Sequence, residues 1–171
     1  MNILKSILFT TILLITVNIF AQQTEVNNIP EGANMINLND SKYSGMSFEN
    51  IIDSYEGKVI YLDFWASWCR PCKGEMPYSL KMQEHFKGKD VVFVYISSDR
   101  DANAWKKGVA QLKLTGENYL TNAKVWNEYN NLFDVKFIPR YILIDKNGDV
   151  VNDVAKRPSS PESITAIKNL L

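Results

Sequence analysis

The apolar positions of this chain come in short blocks of two kinds. Val59-Ile60-Tyr61-Leu62-Asp63-Phe64-Trp65 and Val91-Val92-Phe93-Val94-Tyr95-Ile96 are nearly unbroken runs of β-branched, aromatic and aliphatic residues. Such runs suit strands buried on both faces, as in a parallel sheet, so strands are predicted over 58–65 and 91–96. Between them, residues 73–86 mix polar and apolar positions and predict a helix. Upstream, 34–38 predicts a short edge strand, and Ser47 caps a short helix over 48–55 that Gly57 ends. Downstream, helices are predicted over 102–112 and 123–132. The apolar stretches 141–145 and 149–154 flank Lys146-Asn147-Gly148, and Asn-Gly between two such runs predicts a hairpin. Ser160-Pro161-Glu162 opens a last helix that runs to Leu171. The order is β-α-β-α, then a hairpin and a closing helix: an α/β domain with a mixed central sheet and helices on both faces. Trp105, Trp126 and Phe133 are expected in its core.

The first block is different. Lys5 precedes an apolar run over 7–20 that ends in Ala21-Gln22-Gln23. A positive start, a short apolar stretch and a small residue before a polar segment describe an export signal. The run is short for a membrane span and carries Thr10, Thr11, Thr16 and Asn18. Residues 1–21 are read as a signal peptide cleaved after Ala21, with an uncleaved N-terminal anchor as the alternative. No cysteine follows the run, which excludes lipid attachment there. Residues 22–32 read as a polar linker and 33–171 as one domain, large enough for a proper core. The chain has 19 Lys and Arg against 19 Asp and Glu, a net charge of zero, which gives no support to a nucleic-acid or polybasic membrane partner.

The candidate chemistry lies in Cys69-Arg70-Pro71-Cys72, which holds both cysteines of the chain. The pair falls at a strand-to-helix junction, with Cys69 near the helix N-terminus. Unpaired backbone N–H groups and the positive end of the helix dipole favour an anion there, so Cys69 is expected to carry a lowered pKa and to be the nucleophile. Cys72 lies one turn further in, less exposed, and close enough to close a disulfide. Zinc would need two further ligands, and the only histidine is His85. A purely structural disulfide fits an exported protein, but closing so short a loop gains little. A Cys-x-x-Cys beside a βαβ pattern favours a dithiol–disulfide switch.

The segment from Asp63 to Lys73 resembles the active-site segment of thioredoxins nearly residue for residue. Continued through Gly74-Glu75-Met76-Pro77, it is similar to exported thioredoxin-like proteins of the TlpA/ResA type. Phe137-Ile138-Pro139, before the strand at Tyr141, resembles the cis-proline loop that faces the cysteines in that fold. The likeness covers roughly residues 33–171 and is weakest between Asp99 and Asn131. It implies the thioredoxin fold with an extra helical insertion before the cis-Pro loop.

The resemblance also implies roles. Cys69 attacks and Cys72 resolves the mixed disulfide. Asp63, costly to bury without a task, helps move the proton of Cys72. Glu75 shares the helix face of Cys72 and tunes the pair. Trp68 borders the docking surface, with Arg70 and Pro71 beside it, while Trp65 packs beside the disulfide. Ile138 and Pro139 offer backbone to an extended substrate. Arg140 departs from the small hydroxyl residue common in thioredoxins. The expected protein is a monomeric thiol–disulfide oxidoreductase needing no metal, nucleotide or flavin. It would reduce envelope proteins, apocytochrome c among them, and take electrons from a membrane thiol transporter. The alternatives are a disulfide-donating oxidase, a thiol peroxidase, which lacks here its Pro-x-x-x-Thr-x-x-Cys setting, and a copper chaperone using Cys69, Cys72 and His85.

Overall fold

Strand β2, Val59–Trp65, is buried along its whole length, as its apolar run, interrupted only by Asp63, leads one to expect. It lies inside a six-stranded sheet of order β1-β4-β3-β2-β5-β6. The computed structural model describes residues 28–171; the expected signal peptide and residues 22–27 of the linker lie outside them. Strands β1 (Ala33–Asn37), β4 (Gly116–Leu120), β3 (Val91–Ser97) and β2 run parallel, while β5 (Arg140–Ile144) and β6 (Val150–Asn152) are antiparallel.

Alternation along the inner strands sorts side chains into two cores. Val59, Tyr61 and Trp65 join Phe93, Tyr95, Tyr141 and Leu143 on one face. Helices α2 (Arg70–His85), α3 (Ala102–Leu112) and α5 (Pro161–Lys168) cover that face with Cys72, Met76, Trp105, Val109 and Ile167. Ile60, Leu62 and Phe64 join Val94, Ile96, Ile142 and Ile144 on the other, under α1 (Phe48–Asp53) and α4 (Ala123–Phe133). Trp105 is in the core as expected, whereas Trp126 and Phe133 are half-buried at its margin.

Most elements match their predicted places within a few residues. Ser47 caps α1 in a reciprocal box with Asn50. The hairpin turn has Gly148 at φ 86°, and the Asp145 carboxylate accepts the N–H groups of Asn147 and Asp149. Helix α2 begins at Arg70, three residues earlier than predicted, so Cys69 is its cap.

Strand β4 departs from the expectation. The insertion before the cis-Pro loop is a strand as well as a helix, and β4 completes the parallel half of the sheet between β1 and β3. Its sequence, Gly116-Glu117-Asn118-Tyr119-Leu120, has only two apolar residues and no period-2 pattern to announce it. Asn118 is fully buried and donates back to the Gly116 carbonyl. Gly116 takes φ 80°, and a Cβ there would lie 2.9 Å from the Phe93 carbonyl oxygen, so only glycine fits the close approach that starts this strand.

Candidate active site

Cys69 ends the loop that leaves β2 and caps α2. Its backbone is extended, and its sulfur accepts the N–H of Cys72 at 3.2 Å. The two sulfurs are joined in a disulfide. On reduction, the Cys69 thiolate would occupy the place of this sulfur, at the positive end of a 16-residue helix. Pro71 sits in the first turn, where its missing N–H costs nothing. Arg70 and Pro71 are exposed, and Cys72 is buried more deeply than Cys69. Pro77 lies inside the same helix, where it leaves the Lys73 carbonyl without a helical donor.

The loop itself is held by a residue that the sequence did not single out. Asp99, buried just past the end of β3, accepts Ser67 N–H at 2.9 Å, Ser67 Oγ–H at 2.8 Å and Ser97 Oγ–H at 2.7 Å. Helix α3 presses on the same loop through Gly108, where a Cβ would fall 2.9 Å from Ser67 Cβ. With Ser67 pinned, Trp68 stands out at 67% exposure and Cys69 turns inward. The one available signal for Asp99 was its position after the C-terminal end of a parallel strand, where sites gather in open α/β sheets.

Asp63 lies on the sheet face that α2 covers, flanked in register by Tyr95 on β3 and Tyr141 on β5. It is fully buried, and neither carboxylate oxygen has a hydrogen-bond partner. Desolvation, and then the charge of Glu75, hold its carboxyl well above the usual range. The Tyr141 hydroxyl beside it is likewise buried without a partner. Glu75, one helical turn past Cys72, is almost buried and well held. It accepts Ser159 N–H at 3.0 Å and Ser159 Oγ–H at 3.1 Å, and Arg157 lies 3.6 Å away.

The Ile138–Pro139 peptide is cis, in the loop between α4 and β5. Pairing of β5 with β2 ends at Arg140, so the backbone of Ile138 lies beyond the sheet. The Ile138 side chain is partly buried and packs on both core clusters, one of which contains the two cysteines. A cleft of about 1120 Å³ opens beside the active-site loop, walled by Trp68, Asp99, Arg100, Trp126, Phe137 and Ile138. Phe137 stands 83% exposed on its rim. Arg140 turns away: its guanidinium donates to the carbonyls of Asp153 at 2.7 Å and Phe133 at 3.2 Å. His85 is exposed at the far end of α2, and among the described residues no cluster of His, Cys, Asp and Glu could hold a metal.

A family model described as thioredoxin-like matches residues 57–150, more than half of the chain. A thiol-disulfide oxidoreductase ResA of Bacillus thuringiensis subsp. konkukian is 30% identical over 103 residues, which are 60% of this chain and 58% of the relative. The chain thus spans less than two thirds of that protein. Among solved structures, a candidate thiol-disulfide oxidoreductase of Bacteroides vulgatus is 36% identical with a TM-score of 0.61, over 69% of this chain and 82% of its own. A thiol:disulfide interchange protein from Bacteroides sp. is 26% identical with a TM-score of 0.62, over 69% and 76%. The family match contains β2, the helix-capping cysteine pair and the cis-proline loop, so geometry and likeness rest on the same residues, and the chain belongs to the thioredoxin-like family.

Proposed function

We propose that this protein is a thiol–disulfide oxidoreductase that reduces protein disulfides outside the cytoplasm. The observation that carries the reading is the Cys69 sulfur at the head of α2, accepting the Cys72 N–H and bonded to the Cys72 sulfur. A sulfur at a helix N-terminus favours its thiolate, which supports reading Cys69 as the attacking residue and its disulfide partner Cys72 as the resolving one.

In the reduced protein, the Cys69 thiolate attacks one sulfur of a target disulfide, and the other target sulfur leaves as a thiolate. Cys72 gives its proton to the Asp63 carboxylate. Its thiolate then attacks Cys69, and the second target sulfur leaves. Two electrons have passed to the target, and the Cys69–Cys72 disulfide has formed. Asp63 suits the proton step because burial raises its pKa above that of an ordinary carboxyl, which makes its carboxylate a stronger base. The target chain is read as an extended segment along Ile138 and Pro139, with Trp68, Arg70 and Pro71 on its other side.

The apolar N-terminal run supports export. A membrane thiol transporter as electron donor, and envelope proteins, apocytochrome c among them, as targets, are what the resemblance to the TlpA/ResA type implies. The experiment is trapping: Cys72→Ser, which removes the resolving thiol, accumulates mixed disulfides through Cys69, while Cys69→Ser accumulates almost none. Equal trapping by the two variants overturns the assignment.

A further inference from the structure

The segment between β6 and α5 meets the redox layer at three points. The Tyr61 hydroxyl donates to the Lys156 carbonyl at 2.6 Å. Arg157 and Ser159 hold the Glu75 carboxylate, which takes the Ser159 N–H and Oγ–H on its two different oxygens. The segment is tied in turn to α5, where Ser163 Oγ–H donates to the Arg157 carbonyl at 3.0 Å. Glu75 is therefore not a free helical surface residue. Its side chain is 11% exposed and clamped, while Arg157 reaches it from solvent at 65%.

We propose that Arg157 and Ser159 are positioning residues: they fix the charge and place of the Glu75 carboxylate at the edge of the chamber around Asp63, and through Glu75 they govern the proton step of the exchange. The proposal rests on the function assigned above to Asp63 and Glu75. The groups that face the chamber are few. Tyr61 comes from β2, Tyr95 from β3 and Tyr141 from β5, and each interacts with the Asp63 charge. Glu75 and the cysteine pair come from α2, and Arg157 comes from the clamp. Two buried groups there, the Asp63 carboxylate and the Tyr141 hydroxyl, lack partners, so no other hydrogen bond to Asp63 competes with the field of Glu75. Glu75 raises Asp63 after desolvation, and the contact Arg157 makes in this layer is with the Glu75 carboxylate, 3.6 Å away. A change at Arg157 should thus reach Asp63 by way of Glu75.

The signs follow. The negative Glu75 favours a proton on Asp63, and Arg157 and Ser159 hold that charge in place. Arg157→Gln frees the Glu75 carboxylate to turn toward solvent, so it should move the Asp63 titration midpoint downward by about half a pH unit, the scale of a partly exposed ion pair. Arg157→Lys should leave it in place. Ser159→Ala removes one of the donors that stabilise Glu75 and should shift the midpoint too. The readout is the carboxyl ¹³C shift of Asp63 against pH in the whole chain, together with the pH profile of the resolving step. In a Glu75→Gln background the Arg157→Gln shift should vanish. A midpoint unmoved by Arg157→Gln and Ser159→Ala, or moved equally with and without Glu75, overturns the positioning role. If Glu75→Gln itself fails to lower the midpoint, the fault lies instead in the role given to Glu75.

Discussion

Asp63 buries both carboxylate oxygens without a hydrogen-bond partner, at a site where an uncharged residue would cost nothing. Its sequence neighbours made the burial legible, because a carboxylate amid Tyr61, Leu62, Phe64 and Trp65 can hardly reach solvent. What holds Glu75 was not legible, since Ser159 lies 84 residues from it in sequence. Linkage gives Asp63 a measurable signature. Its unfolded carboxyl titrates near 3.9, and its folded value is raised. As pH climbs between the two, the unfolded chain loses its proton first, so stability falls with rising pH. Asp63→Asn, which cannot ionise, should match the native protein near pH 4 and exceed it increasingly above that. The gap should open by up to about 1.4 kcal/mol per pH unit, read from urea unfolding of the oxidised forms. The same variant should slow the resolving step roughly 100-fold at neutral pH and below. A pH-independent stability gap would show that Asp63 stays ionised in the fold.

Among the elements, α3 shows how a helix can be read from sequence while its task is not. It runs over the predicted residues 102–112, and Asp101 caps it, yet nothing in that stretch says that Gly108 abuts the active-site loop. That contact is a three-dimensional event, like the Asp99 clamp on Ser67 across 32 residues. Strand β4 stayed hidden for the opposite reason, since its short polar sequence pairs only because β1 and β3 stand on either side. Two helical glycines test the packing. Gly74 in α2 has nothing within 4 Å of an added Cβ, so Gly74→Ala should gain about 0.5–1 kcal/mol from helix propensity. At Gly108 the same gain meets contacts of 2.9 Å to Ser67 Cβ and 3.2 Å to Trp65 Cη2. Overpacking costs about 1–3 kcal/mol, so the clash wins. Gly108→Ala should lower the thermal midpoint and slow disulfide exchange, because the residues that must shift lead directly into Trp68 and Cys69. A Gly108→Ala protein as stable and as fast as the native one would mean that α3 does not brace the loop.

At the scale of the molecule the open matter is direction, and it reduces to which redox state the fold prefers. The reduced form gains whatever stabilises a Cys69 thiolate: the helix N-terminus, the Cys72 N–H, and, weakly, the exposed Arg70. Against it stand Asp63 and Glu75, two carboxyl groups in the same layer, which disfavour negative charge on the pair. Arg70-Pro71 also places no histidine beside Cys72 that could share a proton with the thiolate. The balance should leave the thiolate only modestly stabilised, and the potential nearer about −270 mV than the −120 mV of strong oxidants. The same balance dictates stability. A couple that low means that the folded protein favours its disulfide, so the oxidised form should unfold at higher denaturant than the reduced form. Each 30 mV of potential corresponds to about 1.4 kcal/mol for the two-electron couple. Equilibration with glutathione gives the potential, and paired unfolding curves give the stability difference. Should the reduced form prove the more stable, with a potential at the oxidising end and no reduction of insulin, the protein would donate its disulfide instead, and electrons would enter it from its targets rather than leave it for them.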